Sequence, residues 1–181
     1  GLAAFWNGAA VIGGLLILAG FALFSDGKLD YLITAVTAVV FSVLQTRIFI
    51  WGSAVDTTFY WGFLSEDKSL KGVLLYLLQM SGIYFLGALV LLIFLKKRTE
   101  RMVLLSCFLP VVFTFTISMT PDIAVNHKYL MIAYAFLTMF WGLAILKFFR
   151  KKIPGRILAV VLTLCLTVTG VYDFVIILRN N

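Results

Sequence analysis

The chain has 181 residues, of which 62% are hydrophobic and 13% charged, and its net charge is +7. Ordinary soluble domains carry about a quarter charged residues, so this composition excludes a water-soluble globular fold and points to a membrane. The excess positive charge sits in short loops beside apolar runs, where it sets topology and meets lipid headgroups, and it requires no nucleic-acid partner.

About 20 apolar residues cross a bilayer as a helix. Six blocks approach that length: Leu2–Phe24, Tyr31–Thr46, Val73–Leu95, Met102–Thr120, Tyr129–Phe149 and Ile157–Leu178. They predict an all-α fold, a polytopic integral membrane helix bundle of about six spans forming a single domain over residues 1–181. The first block carries Phe5, Trp6 and Asn7 at one end, an interfacial anchor. Its Gly8, Gly13, Gly14 and Gly20 invite close helix–helix approach. No initiator Met or basic leader precedes it, so a longer polytopic protein is expected.

The second block is short and ends on Gln45, Thr46 and Arg47. It is either a span completed by Ile48–Trp51 or a segment that stops near the interface. From Arg47 to Lys71, aromatics (Phe49, Trp51, Phe59, Tyr60, Trp61, Phe63) alternate with Asp56, Glu66 and Asp67. Such a segment lies along the interface, or else its aromatics wall a groove for a lipid-linked or sugar substrate. The third block reads as a full span with Gln79, Ser81 and Gly82 in its outer half. Pro110 predicts a kink in the fourth, with Thr114, Thr116 and Ser118 satisfying freed carbonyls or marking a polar face. The last block carries Thr163, Thr167 and Thr169, then Asp173, which caps a neighbour or pairs with Arg179. Cys107 and Cys165 fall inside spans as small packing residues; neither a disulfide, a metal nor a cofactor is read from them.

Basic residues favour the cytoplasmic side. With six spans, Lys28, the cluster Lys96–Arg101 and the cluster Lys147–Arg156 share one face, which then holds ten of the fifteen basic residues. Loops 96–101 and 147–156 are expected to be cytoplasmic, and loops 47–71 and 121–128 extracytoplasmic.

The most polar stretch between two apolar runs is Thr120–Tyr129, which holds the only histidine. Thr120 suits an N-cap, Pro121 the first helical position, and Asp122 the positive end of the dipole. A helix starting there puts Asp122 and Asn126 one turn apart on one face, with His127 and Lys128 to the sides. Free N–H groups and a lysine then converge on an anion, and a lipid phosphate is the one most available. His127 adds an imidazole able to exchange a proton. Asp122, Asn126, His127, Lys128 and Tyr129 are therefore the candidate residues for binding a substrate or lipid phosphate. The plain alternative is a lysine snorkelling beside a tyrosine belt.

Asn126-His127-Lys128-Tyr129 followed by an aromatic-rich span resembles the late outer loop and following helix of polytopic C-type glycosyltransferases, over about thirty residues. The order of a Pro-bearing span, a short polar loop, a span and a basic turn is similar to their variable second half. The resemblance implies transfer of a sugar from a polyprenyl-phosphate donor at the outer leaflet, in the plasma membrane of a prokaryote. His127 and Lys128 would then lie near the donor phosphate or the acceptor. The catalytic acid of that family follows its first span, and no Asp or Glu here matches it, so the catalytic residue is unassigned. Two other classes compete: a non-enzymatic membrane subunit or scaffold, whose partners are other membrane helices, and a transporter or flippase core. The latter needs broken helices or midplane charge pairs, for which only Pro110, Arg47 and Asp173 offer a hint. Gly-rich phosphate loops, nucleophile elbows and metal-ligand spacings are absent from the sequence.

Overall fold

The computed structural model describes residues 8–49, 57–119 and 122–180, apart from the side chains of 45–47, 49, 169, 173, 174, 177 and 180. Expectations resting on Phe5, Trp6, Asn7, Trp51, Asp56, Thr120 and Pro121, or on the side chains of Arg47 and Asp173, lie outside the described residues. The fold is all-α apart from one short strand pair. Helices α1 (Gly8–Phe24) and α2 (Lys28–Phe49) precede strand β1 (Thr58–Phe59). Helices α3 (Leu70–Ser81), α4 (Tyr84–Phe94), α5 (Arg98–Cys107) and α6 (Leu109–Thr116) lead to strand β2 (Ile117–Ser118). A 3₁₀ turn (Ile123–Asn126) then opens α7 (His127–Phe149), and α8 (Ile153–Asn180) follows. The strands pair antiparallel, Thr58 opposite Ser118 and Phe59 opposite Ile117.

Among the described residues, two helical stretches are long and apolar enough to cross a membrane: Arg98–Thr116, with 19 residues, and Ile123–Phe149, with 27. The pair α3 and α4 makes a third if the two count as one crossing. The apolar stretches Gly8–Phe24 and Ile153–Val168 are shorter. Helix α2, at 22 residues, runs past the expected end at Thr46 to Phe49.

The expected straight span Val73–Leu95 is broken. Gly82 takes φ +55°, a left-handed conformation that ends α3, and α4 leaves at 98° to it. Around the break, Ser81 Oγ donates to Leu77 O at 2.7 Å, and the Tyr84 and Thr138 hydroxyls are hydrogen-bonded at 2.6 Å. Trp141 Nε1 donates to Tyr84 O at 3.2 Å, and a Cβ at Gly87 would meet the Trp141 ring at 2.8 Å. Pro110 occupies the first turn of α6, where its missing N–H costs nothing, and Phe108 closes α5 and opens α6.

The residues fall into two compact units, Gly1–Val73 with Leu95–Leu137, and Leu74–Phe94 with Thr138–Asn181. In the first, α1 packs against α2, α5 and α6. The contact with α5 depends on Gly20, because a Cβ there would lie 2.7 Å from Ser106 Cα. Phe115, Leu104 and Cys107 are buried in this core. An exposed ion pair, Arg98 to Asp26 at 3.2 Å, ties the α1–α2 turn to the start of α5. Elsewhere large apolar side chains stay uncovered, Phe41 on α2 at 56% and Leu164 on α8 at 60%. Such uncovered apolar faces are compatible with a lipid surrounding.

Candidate functional site

Helix α6 ends in the first unit with its last carbonyls lacking helical partners, as every helix does. Buried away from water, such groups must find donors inside the protein. The segment from Thr57 to Ser69 supplies several. Tyr60 N donates to Thr116 O at 3.0 Å and Gly62 N to Phe115 O at 3.0 Å, extending the β1–β2 pairing. The Tyr60 hydroxyl donates to Thr114 O.

Asn126 supplies the rest. It is 1% exposed, and its amide nitrogen donates to Ile117 O at 2.6 Å, to Tyr60 Oη at 3.0 Å and to Thr114 O at 3.3 Å. Its own carbonyl accepts from Thr114 Oγ1 at 3.4 Å, while that hydroxyl also donates to Pro110 O at 2.8 Å. Asn126 thus joins α6, β2, the aromatic loop and the head of α7. Burial raises the Tyr60 phenol above its ordinary range, and the hydrogen bond from Asn126 opposes that rise in part.

Upstream, Asp122 has an extended backbone and is itself the N-cap: its Oδ1 accepts from Ala124 N at 2.9 Å. Its carbonyl accepts from Val125 N at 3.2 Å. The sequence expectation of free N–H groups gathered for an outside anion is corrected here, since the chain's own carboxylate takes that position. The helix also starts later than expected, so Asp122 is exposed while Asn126 is buried, and the two share no common face.

His127 and Lys128 are both exposed at the first turn of α7. His127 Nδ1 lies 2.8 Å from Ala124 O. A carbonyl can only accept, so Nδ1 carries the proton and Nε2 is left to the surroundings. Lys128 makes no ion pair among the described residues. Tyr129 turns inward, 7% exposed, with its ring edge-on to Phe113 at 5.0 Å. Of the five candidates, two therefore project outward as an imidazole and an ammonium, while Asp122, Asn126 and Tyr129 build the platform beneath them.

Compared with known protein families, curated proteins and solved structures, the chain matches none.

The loop facing this platform is closed by its own bonds. Gly62 and Phe63 both take left-handed conformations, φ +92° and +50°, and Ser65 N donates to Gly62 O at 2.9 Å. Phe63 is buried against Phe115 at 5.6 Å, which explains how a strained non-glycine residue is held there. Lys68 Nζ donates to Phe63 O and Trp61 Nε1 to Lys68 O, each at 2.9 Å. Asp67 caps the start of α3 through Ser69, accepting from its backbone N–H at 2.8 Å and its hydroxyl at 2.7 Å. These bonds hold the Asp67 carboxyl below its ordinary range. Phe59 and Leu64 stay uncovered on this loop, at 80% and 51%.

Thr114 meets a helix carbonyl as the sequence suggested, through Pro110 O, whereas Tyr60, read there only as an interfacial aromatic, is the polar partner the sequence did not single out. One signal was available: a helix ending before a polar loop must have its carbonyls met, and Asn126 is the first side-chain amide after it. Among the described residues no group of three or more metal-ligating side chains gathers. The exposed chemistry is charge attraction by Lys128 and hydrogen bonding by His127.

Proposed function

We propose that this chain is the membrane portion of a glycosyltransferase that takes a sugar from a polyprenyl-phosphate donor at the extracytoplasmic leaflet. In this proposal six apolar segments cross the bilayer, Lys128 meets the donor phosphate, and His127 reaches it through Nε2–H as an imidazolium, its Nδ1–H being held by Ala124 O. The observation that carries it is the exposure of His127 and Lys128 on a turn fixed from below by Asn126. An ammonium held at the head of an apolar helix favours a phosphate whose lipid tail lies in the same bilayer. The uncovered Phe59 and Leu64 on the adjoining loop supply apolar surface for a prenyl chain.

Binding of polyprenyl phosphate to the protein in its native membrane tests this. Loss of a charge-assisted hydrogen bond removes about 1.5–3 kcal/mol, so His127→Ala and Lys128→Ala should each weaken binding about tenfold or more. Both side chains are exposed, so thermal stability should hardly change.

A non-enzymatic membrane subunit is the second reading. It is favoured by Asp122, Asn126 and Tyr129, whose polar and aromatic groups are spent on the protein's own structure. Unchanged polyprenyl-phosphate binding in both variants, with assembly intact, would establish that reading over the first.

A further inference from the structure

The join between α7 and α8 carries five cations within ten residues, Lys147, Arg150, Lys151, Lys152 and Arg156, and all five are exposed. No acidic residue occurs between Asp122 and Asp173, so this part of the chain has no counter-charge of its own. The ion pairs recorded among the described residues lie elsewhere, Lys97 with Glu100 and Arg98 with Asp26.

The turn is tight. Lys151 N donates to Phe148 O at 3.0 Å and Gly155 N to Lys152 O at 2.8 Å. A Cβ on Gly155 would lie 2.7 Å from Phe148 O, so only glycine permits this closure. Two cations are drawn onto rings: Lys151 Nζ sits 5.3 Å from the Phe148 centroid, and Arg156 Cζ sits 6.0 Å from that of Phe149. The charges are therefore gathered into one patch, although like charges this close repel. The negative C-terminal end of α7 offsets only part of that repulsion. Immediately beside the patch, Phe149, Ile153 and Ile157 are 53%, 71% and 59% exposed. Cations bordered by uncovered apolar side chains match a molecule that is an anion at one end and a hydrocarbon at the other.

We propose that the α7–α8 turn binds an anionic phospholipid, with Arg150, Lys151 and Lys152 on its phosphate and Phe149 and Ile153 against its acyl chains. The site lies outside the His127–Lys128 turn and depends only on the chain residing in a bilayer, not on sugar transfer.

Native mass spectrometry of the purified protein, equilibrated in micelles with phosphatidylglycerol or phosphatidylcholine, reads the retained lipid directly. Juxtamembrane cations add about 1 kcal/mol each, so the wild type should retain phosphatidylglycerol over phosphatidylcholine by at least about fivefold, and less as salt rises. The R150Q/K151Q/K152Q variant should fall to near parity, and the single change K151Q to an intermediate preference. K96Q/K97Q, in the other basic turn, should keep the wild-type preference. Equal retention of both lipids by the wild type would overturn the proposal. So would an undiminished preference in K151Q and the triple variant, or an equal loss in K96Q/K97Q, which would indicate diffuse charge attraction instead of a site.

Discussion

Asn126 shows how one residue can be misread from sequence and still prove central. In a polar decapeptide it resembles a headgroup contact, because its hydrogen-bonding partners Tyr60 and Thr114 are remote in the chain. The structure spends its two amide hydrogens on three acceptors at the end of α6. Each buried carbonyl left without a donor costs about 1–3 kcal/mol, so Asn126→Ala should lower the unfolding midpoint in detergent clearly. Asn126→Asp should be worse, since a carboxylate would face those same oxygens with no hydrogen to give. Tyr60→Phe removes the hydroxyl that donates to Thr114 O and accepts from Asn126 Nδ2, and should cost about 1–3 kcal/mol. Tyr60 also makes stability depend on alkaline pH. Its folded phenol is raised above the unfolded value near 10.0, so the native state holds that proton more tightly. The stability this gives is full below the unfolded value and is lost as pH climbs through the folded one, when the phenolate can no longer donate to Thr114 O. Unfolding midpoints against pH should therefore fall less steeply at the alkaline end for Tyr60→Phe than for the wild type.

Helices are where hydropathy reads best and where it also conceals most. Each apolar block overlaps helix, but the blocks Val73–Leu95 and Met102–Thr120 each hold two helices, and Pro110 sits just after the joint in the second. The break between α3 and α4 stayed hidden because hydropathy averages over a window and cannot sense φ. Gln79, Ser81 and Gly82 were visible as a polar interruption, but only a left-handed Gly82 turns it into a 98° bend. The β1–β2 pair was equally illegible, since two two-residue strands far apart in the chain leave no periodicity. Glycines at these elements do two different jobs, and substitution separates them. A Cβ at Gly82 meets nothing within 4 Å, so Gly82→Ala carries only the left-handed backbone penalty, about 1 kcal/mol. A Cβ at Gly20 would meet the Ser106 backbone at 2.7 Å, so Gly20→Ala must push α1 from α5, at about 1–3 kcal/mol. Thermal melts should rank Gly20→Ala below Gly82→Ala, and the reverse order would mean that the α1–α5 contact yields easily.

For the whole molecule, the decisive property is what its exterior is matched to. Composition points to a bilayer as that match, while the number of crossings depends on backbone breaks that composition does not encode. Both cysteines can report on that exterior. Cys107 is 0% exposed in the first unit's core, whereas Cys165 is exposed on α8 among uncovered Val161, Leu164 and Val168. Maleimides attack the thiolate, which forms only where water reaches the sulfur. A water-exposed α8 would let an aqueous maleimide modify Cys165 at once in intact membranes. A lipid-exposed α8 leaves that thiol unmodified until detergent and denaturant strip the bilayer, after which both cysteines react. The expected outcome is no modification in membranes and two modified thiols after denaturation, read by intact mass. Rapid single modification in intact membranes would put α8 in water and remove the bilayer from the account of both proposed sites.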